Sequence, residues 1–188
     1  MDKLELRMYG MVNYQLTGIQ AGIQFAHAIV DYGQYVKKLG EHKSSLNKQY
    51  DNWADNWKTV ILLNGGTTNN NPDKLGTLNK HLQALKDNNI PCQDFYEPDL
   101  GDQLTAICFL VDERVFNKEK YPDFNYPNMG IQNSLILREN PLNPEFVNTG
   151  VGYIDYLAIR NSWEKWSTTI GGKRNLFLRE YLRSFKLA

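Results

Sequence analysis

Glu97-Pro98-Asp99-Leu100-Gly101-Asp102-Gln103-Leu104-Thr105-Ala106-Ile107 gathers carboxylates, an amide and a hydroxyl around one glycine, immediately ahead of the apolar run Ala106 to Val111. A strand interior does not hold that many polar groups. The stretch therefore reads as the mouth of a site feeding into a buried strand. Asp and Gly clusters are also ordinary turn formers, and Thr is common in strands, so a plain turn between two strands has the same composition. A second segment has to join it before the site reading gains weight.

That segment is Leu16-Thr17-Gly18-Ile19-Gln20-Ala21-Gly22-Ile23-Gln24-Phe25-Ala26-His27-Ala28. Thr17 suits a helix cap, and Ile19, Ile23, Ala26 and Val30 recur at helical spacing, which predicts one apolar stripe on a helix running to about Leu39. The small residues Ala21, Gly22, Ala26 and Ala28 would let this helix lie close to a sheet. Its N-terminus would aim backbone amides at the site mouth, where an anion or a developing oxyanion is stabilised. Around it, Lys3 to Asn13 alternates like a first strand and Lys58 to Leu63 reads as a second. Leu75, Leu78, Leu82 and Leu85 mark a further helix, Cys92 to Glu97 a third strand and Thr105 to Val111 a fourth.

Together the two segments resemble the type 2 peptidyl-tRNA hydrolase family. Gln24-Phe25-Ala26-His27-Ala28 is similar to its helical Gln-x-x-His-Ala signature, and Asp99-Leu100-Gly101-Asp102-Gln103-Leu104-Thr105 to a shortened form of its Asp-x-Gly-x-x-Gln and Thr segment. The resemblance covers roughly residues 3 to 116, and Leu178 to Ala188 is similar to the family's closing helix. It implies an α/β fold in which helices flank a small mixed sheet of four strands. The chain would then be a single domain, 1–188, carrying an insertion at about 117–175. It also implies an esterase that cleaves the bond between a peptide or acyl group and the terminal ribose of tRNA. By resemblance, Asp99 orients or deprotonates the water, while Thr105 and the first-helix amides hold the carbonyl. Thr17, Gln24, Asp102 and Gln103 would line the substrate. The family's active-site lysine falls on Gln20, which supplies hydrogen bonds but no cation. Charge stabilisation would have to come from elsewhere, with Lys58 or the insertion as sources.

Bulk composition narrows the partners. The chain has 188 residues, with 21 basic and 21 acidic side chains and a formal net charge of zero. A protein that coats nucleic acid non-specifically has a different profile, so any RNA contact must be a local patch. Residues 151 to 188 hold seven Lys and Arg against three acids, beside Trp163 and Trp166. Lys173 and Arg174, after Gly171-Gly172, are the candidate phosphate contacts there, although a solvated helix face has the same charge pattern. Cys92 and Cys108 fall on neighbouring predicted strands with no CxxC pair, which points to a reducing cytoplasmic interior. The amino terminus lacks an apolar leader and no apolar run is long enough for a membrane span, so no membrane association is expected.

His27 reads as a packed structural histidine. His42 and His81 have no partner at ligand spacing, so neither metal nor cofactor is implied. No Gly-x-Ser-x-Gly elbow exists, and both cysteines sit in strand interiors. Trp53 and Trp57, at i, i+4, predict a short helix docking two rings on the body. Gly65 to Pro72 reads as a turn after the second strand, without the ending of a phosphate-binding loop. Asn117 to about Gly152 is rich in aromatics, including Tyr126, and in prolines, among them Pro127, Pro141 and Pro144. Such an insertion would form a lid, pack on the sheet or make a homodimer contact. Two functions stay open: the esterase, and a non-catalytic relative that binds an RNA end, a nucleotide or a host protein, including a phage-encoded factor.

Overall fold

The computed structural model describes residues 4–39, 44–125 and 153–185. The fold is α/β, and the chain divides into two compact units. Unit 1 runs to Glu113 and takes back Phe185, and unit 2 spans Arg114–Ser184. Tyr126, Pro127, Pro141, Pro144, His42 and the lid, packing or dimer uses of the insertion lie outside the described residues.

Unit 1 is built in the order β1 (Leu6–Asn13), α1 (Gly18–Lys38), α2 (Ser44–Asn52), β2 (Thr59–Gly66), α3 (Thr77–Asp87), β3 (Cys92–Glu97) and β4 (Gln103–Asp112). The sheet is mixed, with strand order β2-β1-β4-β3. β1 pairs parallel with β2 and antiparallel with β4, which in turn pairs antiparallel with β3. The parallel pair requires a crossover, and α1 and α2 supply it. β4 is buried continuously from Leu104 to Val111 because helices cover both faces of the sheet.

Alternation sorts those faces. Leu6, Met8 and Val12 of β1, with Ala106, Cys108 and Leu110 of β4, share a core with Ala21, Phe25, Ala28, Tyr32 and Val36 of α1. Residues of opposite parity face α3: a Cβ on Gly65 would lie 2.5 Å from Leu78 Cδ1 and 3.3 Å from Met11 Cβ. Phe185 joins unit 1 by packing its ring on His81, with 4.8 Å between ring centres.

The helical stripe expected on α1 is the wrong one. Ile19, Ile23 and Val30 are 80%, 49% and 58% exposed, and Ala26 is exposed with them. The buried stripe, Ala21, Phe25, Ala28, Tyr32 and Val36, has the same period but includes two aromatic rings. Its docking requires Gly10 on β1, where a Cβ would lie 2.3 Å from the Phe25 ring. Helical period alone does not choose between two apolar stripes, and the larger ring area takes the core.

Other boundaries differ modestly. β1 begins at Leu6, not Lys3, and β2 extends to Gly66, so that Gly65 and Gly66 close a strand and do not open a loop. After α2, a single π-helical turn over Trp53–Trp57 buries Trp53, whose Nε1 donates to the Thr59 carbonyl at 2.9 Å. This is the docking expected for that pair.

Unit 2 holds α4 (Glu113–Phe116, starting one residue earlier in unit 1), α5 (Tyr153–Thr169) and α6 (Gly172–Tyr181). α5 falls within the expected insertion at about 117–175. The closing helix expected at Leu178–Ala188 is α6, which starts six residues earlier and gives way to a 3-10 turn at Leu182–Ser184. Gly171 and Gly172, at φ 100° and 75°, form the left-handed corner between α5 and α6 that glycine adopts without steric cost. Ile159, Ile170, Leu176, Phe177 and Leu178 are buried in this unit.

Candidate functional site

At the carboxyl ends of the parallel strands β1 and β2, unit 1 opens a cleft of about 490 Å³. Asn13 and Gln15 follow β1, Leu16 and Gln20 belong to the entry into α1, and Thr68 follows β2. Leu100, Gln103 and Thr105 close it from the turn into β4. Crevices outside strand carboxyl ends are the usual ligand position in such sheets.

Thr105 is the floor, and it is 1% exposed. Its Oγ1 donates to Gln24 Oε1 at 2.6 Å, with the Phe95 carbonyl a second acceptor at 3.2 Å. Gln24, itself 8% exposed, donates through Nε2 to the Glu97 carboxylate. A carboxylate accepts only, so it fixes the amide with its oxygen toward Thr105. The one hydroxyl proton of Thr105 is thereby turned inward. Its lone pairs are left for a donor in the cleft.

Glu97 also accepts from the Asp99 amide at 3.4 Å, which caps the 3-10 turn Pro98–Leu100. Gly101 and Asp102 then take φ 67° and 55°, a left-handed pair that reverses the chain into β4. The opposite wall is tied down: Thr68 Oγ1 donates to the Leu104 carbonyl and Asn70 Nδ2 to that of Asp102 at 3.0 Å.

Thr17 and Gln20 form a reciprocal capping box at the start of α1. Gln20 N donates to Thr17 Oγ1 at 3.4 Å, and Gln20 Oε1 accepts from Thr17 N at 3.1 Å. The position expected to be catalytic is therefore also a helix cap, and the Thr-x-x-Gln spacing was the signal for it.

The cleft brings together Gln20, Gln103 and Thr105 of the expected site residues. Gln24 lies beneath it as a buried support, and Thr17 acts through the cap. Asp99 and Asp102 are exposed on the turn and are not among the lining side chains. Lys173 and Arg174 belong to the first turn of α6 in unit 2. Lys58, expected as an alternative source of charge, does not reach the cleft. It precedes Thr59, which pairs with Arg7, whereas the cleft lies where Asn13 pairs with Gly66. That separation is roughly 20 Å at the rise of a strand.

Asn13, Gln15 and Thr68 lie outside the two stretches expected to form the site, and Leu16, Glu97 and Leu100 lie within them without an expected role of their own. Polar Asn13 and Gln15 ending an apolar strand just before a helix cap were the available sign. His27 is exposed and stacks on Phe95, with 4.7 Å between ring centres and 13° between planes. Burial pushes the Cys92 thiol up to about 11 and that of Cys108 up as well, so neither is a nucleophile near neutral pH. Among the described residues, no group of three or more His, Cys, Asp and Glu is placed to hold a metal, and no helix is long and apolar enough to cross a membrane.

Comparison of the chain with protein-family models, with curated proteins and with solved structures finds no match. What the cleft does must be argued from its own groups.

Proposed function

We propose that unit 1 is an esterase of the type 2 peptidyl-tRNA hydrolase kind, acting on the ester between an acyl or peptide group and the terminal ribose of tRNA. The observation that carries this reading is the chain Thr105, Gln24, Glu97, which turns the Thr105 proton inward and presents its lone pairs to the cleft. A water donating one O–H to Thr105 is held with its own lone pair free to attack an acyl carbonyl. At the start of α1 the Gln20 amide is taken by the Thr17 hydroxyl, and the Gly18 and Ile19 amides ahead of it suit the tetrahedral oxyanion. Asp99, exposed on the turn one residue before the cleft residue Leu100, would turn into the cleft to take the water's second proton. As the intermediate collapses, that proton passes to the departing ribose oxygen.

A second reading rests on a specific observation. The side chains lining the cleft include no titratable group, and the Gln20 oxygen is occupied by the helix cap. Such a lining suits recognition of an acyl-RNA end through neutral hydrogen bonds without cleavage.

One paired measurement decides between them: release of free tRNA from a peptidyl-tRNA analogue, beside filter binding of the same RNA. Turnover that falls at least tenfold in Asp99→Asn supports the esterase. Saturable binding without release supports the binder, and absence of both rejects the two readings together.

A further inference from the structure

Two leucines line the unit 1 cleft among side chains that are otherwise neutral and polar. Leu16 comes from the entry to α1 and Leu100 from the turn before β4. Leu16 is half-buried and packs against the sheet core. Leu100 is 52% exposed, and the backbone around it is tied down: the Gly101 amide donates to the Pro98 carbonyl and the Asp102 amide to that of Glu97, each at 3.1 Å. This turn keeps Leu100 out of the core and leaves an apolar surface on the cleft wall. Around the two leucines the polar groups are mostly amides. Gln15, Gln20 and Gln103 each bring a carboxamide, and the helix cap takes only the oxygen of Gln20, so its Nε2 hydrogens remain for the cleft. Carboxamides bond an acyl carbonyl or a peptide N–H but carry no charge to balance an ionised side chain. A charged group drawn onto this lining would lose water without gaining a counter-ion.

We propose that the cleft selects acyl groups by their side chain, taking an uncharged residue whose aliphatic side chain seats on Leu16 and Leu100. This selection rests on the acyl-RNA reading of the cleft and holds whether the ester is cleaved or only bound. Leu100 is the specificity-determining residue, since Leu16 also serves the core packing whereas Leu100 is exposed. Asp99 and Asp102 stand on the same turn outside the lining, and their charge opposes an anionic side chain at its mouth.

The test uses the full chain and tRNA ending in 3′-amino-3′-deoxyadenosine, acylated through a stable amide with Nα-acetylated leucine, glycine, aspartate or lysine. Filter binding ranks the four beside the same tRNA without an acyl group. The leucyl form should bind roughly tenfold tighter than the glycyl form, the gain from partly covering one leucine side chain. The aspartyl form should bind weakest. Leu100→Ala should bring the leucyl and glycyl affinities within about threefold of each other, and Leu100→Met, similar in volume and apolar, should keep the preference. Should Leu100→Ala fail to fold, the wild-type ranking and Leu100→Met decide. Equal affinity for the leucyl and glycyl forms, an unchanged preference in folded Leu100→Ala, or its loss in folded Leu100→Met overturns this proposal and leaves the acyl-RNA reading standing. A lysyl form that binds tightest overturns it too, and assigns recognition to Asp99 and Asp102. No gain of any acylated form over the unacylated tRNA rejects the acyl-RNA reading, and this proposal with it.

Discussion

The unit 1 cleft and the helices of unit 2 each rest on a buried polar side chain, and they satisfy it in opposite ways. Under the cleft, Gln24 and Thr105 are neutral groups bonded to each other, and charge enters only through half-buried Glu97. In unit 2 the buried group is the Arg179 cation, while its partner Asp123 keeps a side-chain exposure of 50% and also receives Lys118 and Arg183. Neutral amides and hydroxyls can be sealed beneath a sheet at modest desolvation cost. A guanidinium cannot, and its counter-ion stays in contact with water. A neutral network fixes orientation, whereas a charged one sets up a field.

Removing each support tests the contrast, and the charged one should cost more. Arg179→Met strands the Arg114 and Tyr121 carbonyls and leaves Asp123 to Lys118 and Arg183. We expect a loss of about 2–4 kcal/mol, below the full range for a buried pair because Asp123 is half in solvent. Denaturant titration reads it, and a loss under about 1 kcal/mol would show that the hub is not structural.

Thr105→Val comes next, at about 1–3 kcal/mol, since it leaves the Gln24 carbonyl buried without its donor. Adding Gln24→Leu should recover part of that cost by removing the unsatisfied amide, and a double-mutant cycle measures the coupling. Strict additivity would break the picture of one shared network.

The pH response should separate the two regions more gently. Burial raises the Asp123 carboxyl, but Lys118 and Arg179 more than offset it and hold it at about 2, below its ordinary 3.8. The unfolded chain thus binds this proton first as pH falls. The stabilisation from Asp123 is complete above 3.8 and is lost as pH drops toward 2. Thermal melts across that window should show a fall that Asp123→Asn lacks.

Smallest in stability, within about 1 kcal/mol, is Gln20→Lys, which gives up part of the capping box. Its value is functional. It restores a cation at the position where the resembled family has one, and under the esterase reading it raises the rate of tRNA release. A folded variant with no gain would move the cleft toward the binding reading.

Several features were legible because they are local. Cys92–Glu97 was read as β3 to the residue, since its flanking Pro91 and Pro98 punctuate the chain at both ends. The end of α1 was read within a residue or two. The polar turn before β4 is expected to be a site mouth, and Gln103 and Thr105 line a cleft. The aspartates of the same turn do not, because Gly101 and Asp102 adopt left-handed geometry that a list of residue types does not reveal.

The amino-acid sequence by itself determined the α/β alternation, most element boundaries in unit 1 and the turn that leads into β4 ahead of Thr105, because period, caps and turn residues act over a few positions. Only the tertiary structure decided which stripe of α1 is buried, since Ile19, Ile23 and Val30 repeat as regularly as Phe25, Tyr32 and Val36 until Gly10 admits the Phe25 ring. It alone showed that Gln24 reaches both Glu97 and Thr105, more than seventy residues away along the chain. It alone set Lys58 at the far end of β2 from the cleft, through strand register. Pairings of this kind depend on long-range packing, in which each contact requires the whole sheet to be in place, and no local pattern encodes them.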